Sequence, residues 1–153
     1  MRPERLGDNR VPIYYAGGAN IDDFRGAAGP HTGPEDWVGS LRALPPAFLR
    51  TAYPPDTGVS RLGDGSSLRD RVASDPEGWL GSELSARFSG DPGLLVKLLD
   101  AGERLPVHCH PTRDFARQYL GSFFGKTEGW IIMRADPGAR LWLGLRDTID
   151  RYE

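Results

Sequence analysis

Apolar positions along this chain come in short bursts separated by turn residues, and few bursts last long enough for more than one element. Val11-Pro12-Ile13-Tyr14-Tyr15 reads as a strand, with Pro12 placing it at an edge or a start. Ile21 to Arg25 carries too short a pattern to assign. Trp37 and Val38 suggest a short strand. Residues 43–65 hold two Pro-Pro pairs and several glycines and read as a packed loop, in which Phe48, Leu49 and Tyr53 call for burial. Ser66 to Val72 has a helical pattern with Ser66 or Ser67 as N-cap. Ser74-Asp75-Pro76-Glu77 starts a second helix with Pro76 near N1, Trp79 and Leu80 facing inward and Gly81 ending it. Leu84 to Phe88 makes a further turn of helix.

The densest part of the pattern runs from residue 94 to 133, LLVKLLDAGERLPVHCHPTRDFARQYLGSFFGKTEGWIIM. Leu94 to Leu99 is an apolar run interrupted by Lys97, and Asp100-Ala101-Gly102 is a turn. Leu105 to His110 is extended and stops at Pro111. Thr112 to Leu120 has a helical pattern capped by Thr112 and stopped at Gly121, with Phe115, Ala116, Tyr119 and Leu120 on one packed face. Trp130 to Met133 and Leu141 to Leu145 flank Asp136-Pro137-Gly138 and read as a hairpin.

Composition narrows the classes. The 153 residues carry a net charge of −2, and 20 glycines and 13 prolines without a repeating period indicate many turns rather than a fibre. Interspersed charge gives no basic stripe for nucleic acid. No apolar run approaches the ~20 residues of a membrane span, and no polybasic or amphipathic segment suggests a membrane surface. A single cysteine excludes an internal disulfide and fits a reducing, cytoplasmic setting. One domain spanning residues 1–153 is expected at this length, with residues 1–12 flexible.

The candidate chemistry lies in the dense stretch. In a strand, His108 and His110 project to one side with Cα atoms roughly 6–7 Å apart. Two imidazoles at that spacing can converge on one cation, and Glu128 can add a carboxylate oxygen. Two histidines and a glutamate with an open position suit catalytic zinc, and the same set suits iron as a facial triad. Cys109 faces the other way and reads as a small core residue. Lys97, inside an apolar run, is expected to snorkel or to pair with a carboxylate. His31, in GAAGPHTGP, reads as a solvated loop histidine.

The runs LLVKLLDAGERLPVHCHP, GKTEGWII and DPGARLWLGL, in that order, resemble the metal-binding half of class I mannose-6-phosphate isomerases, which are zinc-dependent cupins. GPEDWVGS at 33–40 is similar to the family's N-terminal glycine- and tryptophan-containing strand. The resemblance implies that His110 falls on the family's first histidine ligand and Glu128 on its glutamate ligand. His108 stands where most members have glutamine, which ligates the metal in some. Lys126 falls on a lysine lining the substrate site, giving it a catalytic and substrate-binding role. The family's further histidine ligand and a basic substrate-binding residue come from the second half of the barrel, beyond residue 153, so the resemblance implies an incomplete C-terminus.

The fold implied is mostly β, a cupin-type jelly roll as a partial barrel with short peripheral helices. The function implied is zinc-assisted interconversion of mannose 6-phosphate and fructose 6-phosphate. A metal suits that reaction because it stabilises the enediolate formed when a proton moves between carbons beside a carbonyl. The partners expected are a sugar phosphate and, through exposed strand edges, a second copy. Two other readings remain: a non-catalytic metal- and sugar-phosphate-binding cupin module, and an iron cupin using His108, His110 and Glu128.

Overall fold

The computed structural model describes residues 3–26, 33–45 and 53–147. Its elements, in chain order, are β1 (Arg10–Val11), α1 (Ala19–Arg25), β2 (Glu35–Val38), α2 (Leu68–Ser74), α3 (Pro76–Leu80), α4 (Ser82–Phe88), β3 (Val96–Leu99) and α5 (Arg113–Tyr119). The strands form one open antiparallel sheet in the order β1-β2-β3. Arg10 pairs with Asp36 across β1 and β2. Trp37 pairs with Lys97 across β2 and β3.

This architecture corrects the expectation of a mostly β jelly roll. Most described residues lie outside regular elements, and the helices outnumber the strands. The reason is pairing. An apolar extended run becomes a strand only when another backbone satisfies its N–H and C=O groups. Among the described residues, Val96–Leu99 is the one apolar run beyond residue 93 that finds such a partner. The runs at 105–110, 130–133 and 141–145 lie outside any strand, with Val107, Ile131 and Leu143 exposed to 88%, 90% and 92%. The expected hairpin reduces to its turn, closed by Ala139 N–H donating to the Asp136 carbonyl at 3.0 Å.

Helix starts follow local chemistry. The Ser67 hydroxyl accepts from Asp70 N–H, the Asp75 carboxylate from Gly78 N–H, and Thr112 from Phe115 N–H. Each satisfies one of the donors that a helix N-terminus leaves without an internal partner. The α5 face departs from expectation. Ala116 is buried, but Phe115, Tyr119 and Leu120 are half exposed or more, and the Phe115 and Tyr119 rings pack on each other with centroids 4.8 Å apart. Tyr53 is likewise exposed, and Cys109 is exposed rather than in a core. Phe48, Leu49 and His31 lie outside the described residues.

Among the described residues, two small cores form. Val11, Trp37 and Leu44 form one, with Ile13 against it. Leu62, Leu68 and Val72 form the other, joined by Leu6, Leu41, Trp79 and Leu80. Leu68 and Val72 sit four apart and so share one face of α2. Gly58 backs the Trp37 ring so closely that a Cβ there would lie 2.9 Å from it, and its φ of +96° also favours glycine.

β2 places acids inside. Asp36 is fully buried and accepts from Arg25 Nε at 2.8 Å and from the Asn9 backbone N–H at 2.9 Å. Burying a carboxylate is costly unless its oxygens are bonded and a cation is near, and here both conditions hold. α1 is held from a distance: Asp100, just after β3, accepts from Gly18 N–H, Asn20 N–H and Asn20 Nδ2, each at 2.9 Å. Burial works against the Asp100 charge, but these bonds and the nearby Arg10 outweigh it and hold the carboxyl below its usual range.

Candidate functional site

The segment carrying the histidines and the Gly-Lys-Thr-Glu run are brought together by backbone. Lys126 N–H donates to the Pro111 carbonyl at 3.0 Å. Gly125 allows this approach, because a Cβ on it would lie 2.7 Å from the Pro111 carbonyl oxygen and 2.8 Å from Arg113 N. The chain reaches that point by turning back at the end of α5. Ser122 N–H bonds the Ala116 carbonyl, and the Ser122 hydroxyl both accepts from Phe124 N–H and donates to the Phe124 carbonyl. The Phe124 ring packs on Phe88 of α4 with centroids 4.8 Å apart, which ties the turn to the rest of the fold.

These pins set the side chains. His110 Nε2 lies 3.4 Å from Glu128 Oε2, and Lys126 Nζ lies 3.8 Å from Glu128 Oε1. His108 stands beside His110, ring centroids 5.2 Å apart with 39° between the planes. Its Nδ1 is 2.9 Å from the Pro106 carbonyl, which turns that nitrogen toward the backbone. The structure thus brings His110, Glu128 and Lys126 into one group, with His108 at its edge. Among the described residues, no three or more His, Cys, Asp or Glu side chains converge closely enough to hold a metal ion.

His110 Nε2 is buried and has no hydrogen-bond partner. Its imidazole is held below the usual histidine range, first by burial, then by the charge of Lys126, with Glu128 opposing and His108 and Lys97 adding. A neutral ring with a free, buried nitrogen facing a carboxylate oxygen is a donor pair that fits a divalent cation of borderline softness. His110 and Glu128 therefore fit part of a coordination sphere.

Sequence reasoning missed the buried acid Glu35. Glu35 accepts from Tyr15 Oη at 2.6 Å, from Trp37 Nε1 at 2.6 Å and from Lys97 Nζ at 3.0 Å. Lys97 lies directly across the sheet from Trp37, so it is a diagonal neighbour of Glu35 on the same face. The lysine in the apolar run therefore pairs with a carboxylate, as expected. Burial and the Glu35 carboxylate push the Tyr15 phenol far above its usual value, so it stays a donor. The available signal was Glu35 and Trp37 two apart on a short strand, with one lysine inside a later apolar run.

Comparison with known proteins bears on part of the chain. It is 47% identical over 51 residues to the probable mannose-6-phosphate isomerase GmuF of Bacillus subtilis. It is 43% identical over 51 residues to the mannose-6-phosphate isomerase of Streptococcus mutans. It is 35% identical over 66 residues to mannose-6-phosphate isomerase ManA of Bacillus subtilis. Part of this chain is related to mannose-6-phosphate isomerases. The matches cover 33% to 42% of this chain and 16% to 21% of those proteins, so it spans about a fifth of their length or less. No family profile matches the chain. No solved structure matches it either. Among the described residues, no helix is long and apolar enough to cross a membrane.

Proposed function

We propose that this chain carries the metal- and sugar-phosphate-binding part of a zinc-assisted isomerase interconverting mannose 6-phosphate and fructose 6-phosphate. The observation that carries the reading is the buried, unbonded His110 Nε2 facing Glu128, with Lys126 on the other carboxylate oxygen. Partial similarity to mannose-6-phosphate isomerases supports it.

In this reading His110 and Glu128 hold the zinc, and His108 stands close enough to join on a change of ring orientation. When bound, the cation supplies Lewis-acid polarisation of the sugar's carbonyl and hydroxyl oxygens. Burial and the charge of Lys126 keep His110 neutral, which is the form that donates a lone pair. Lys126 is about half exposed, so its ammonium can reach an anionic group arriving from solvent while its backbone stays pinned to Pro111. The buried Glu35 fixes Lys97 within the field of the site.

Elemental analysis of the purified chain and of His110→Ala tests the metal assignment. Zinc in the parent and its loss in the variant are expected, and equal zinc in both would remove His110 from the ligand set. A coupled assay for fructose 6-phosphate formation tests turnover. Among the described residues, no third His, Cys, Asp or Glu joins His110 and Glu128 closely enough to complete a metal site. That leaves room for a second reading, a non-catalytic module that binds metal and sugar phosphate. Sugar-phosphate binding without turnover would select it.

A further inference from the structure

The two oxygens of Glu128 serve different partners. Oε2 faces the imidazole of His110, which is buried and otherwise unbonded. Oε1 faces the ammonium of Lys126. Glu128 is 18% exposed and Lys126 47%, so the carboxylate is the fixed member of the pair and the ammonium the member that can swing into solvent. The other lysine within reach of the site, Lys97, is already bonded to Glu35. Lys126 is therefore the side chain that balances the Glu128 charge.

Lys126 and a cation seated on His110 and Glu128 would draw on the same carboxylate. Two positive groups within a few ångströms repel, and the cost is largest for a partly buried pair that salt screens poorly. We propose that Lys126 is the resident counter-ion of Glu128 in the metal-free chain, and that it yields the carboxylate to a divalent cation and turns to an anionic ligand. The proposal rests on the reading that His110 and Glu128 bind metal. It adds an order of events: cation first, sugar phosphate second. It also makes the two ligands mutually strengthening, because coupling between binding sites is reciprocal. Without metal, Lys126 is engaged by Glu128 and is a poor anion site.

Calorimetric titration of zinc and of fructose 6-phosphate, separately and together, tests this on the full chain. Lys126→Met should bind zinc about tenfold more tightly than the parent, a size between that of a fully solvated and a partly buried charge pair, as suits a half-exposed lysine. In the parent, zinc should raise fructose 6-phosphate affinity about tenfold, and in Lys126→Met most of that gain should vanish. Lys126→Arg, which keeps the charge, should behave as the parent. If zinc binding is lost in Glu128→Gln but unchanged in Lys126→Met, the counter-ion proposal is overturned while the metal assignment stands. If zinc binding does not depend on Glu128, the metal assignment falls and the proposal with it.

Discussion

The part of the chain before residue 101 and the part after it are built on different terms. The first contains nearly all the buried apolar side chains, the sheet and the buried carboxylates Glu35 and Asp36. The second contains the candidate site but, among the described residues, buries one apolar side chain, Ala116. Its shape comes from a few backbone bonds and close approaches: Lys126 to Pro111, Ser122 to Ala116, and Gly125 against Pro111. Stability and site geometry are thus carried by separate sets of residues. A change in one region should be visible in one measurement and nearly silent in the other.

The largest effect should come from the first region. Trp37→Ala removes a core side chain and the Nε1 donor of Glu35, and should cost about 3–5 kcal/mol in urea denaturation. A loss under 1 kcal/mol would mean that this core does not hold the fold. Next is Asp100, whose three accepted bonds fasten α1 to β3. Asp100→Ala should cost about 1–3 kcal/mol. The pH dependence has a defined sign. The folded carboxyl sits below its unfolded value, so its contribution is complete above the ordinary aspartate range and fades as pH falls through the folded pKa. Parent stability should therefore drop more steeply in acid than that of Asp100→Asn, and parallel acid curves for the two proteins would contradict the role.

Gly125→Ala sharpens the contrast. A methyl group there must push the Gly-Lys-Thr-Glu run away from Pro111, so zinc affinity should fall about tenfold or more while the urea midpoint moves little. Unaltered zinc binding would show that the His110–Glu128 approach does not depend on this contact. The smallest effect belongs to α5. Tyr119→Ser should change stability by no more than about 0.5 kcal/mol, the usual range for an exposed position. A cost of about 2 kcal/mol or more would restore the packed amphipathic helix read from its pattern.

What could be read in the sequence divides along the same line, by range. Ser67, Asp75 and Thr112 cap their helices because a cap is a contract among four neighbouring residues. The α1 helix escaped notice because its N-cap is Gly18, with no side-chain cap, and its fastening comes from Asp100, 80 residues from Asn20. The barrel failed for the same reason. Leu105–His110 and Trp130–Met133 have strand-like composition, but composition names no partner. Glu128 could be suggested beside His110 from donor chemistry alone, whereas the place of Lys126 was legible only through likeness to known proteins. For the buried Glu35, the need of Lys97 for a carboxylate was legible, but its partner and the bonds from Tyr15 and Trp37 were not, because they join three distant stretches.

Gly125 has a bearing on how variants of this chain should be sorted. It has no side chain and carries no charge, yet its close approach to Pro111 lets the Gly-Lys-Thr-Glu run lie against the histidine segment. A survey that scores only exchanges of histidine, glutamate and lysine would pass over it. If His110 and Glu128 bind metal as proposed, sequences that keep all three but gain a bulky residue at this position would bind it weakly, and shape rather than chemistry would be the cause.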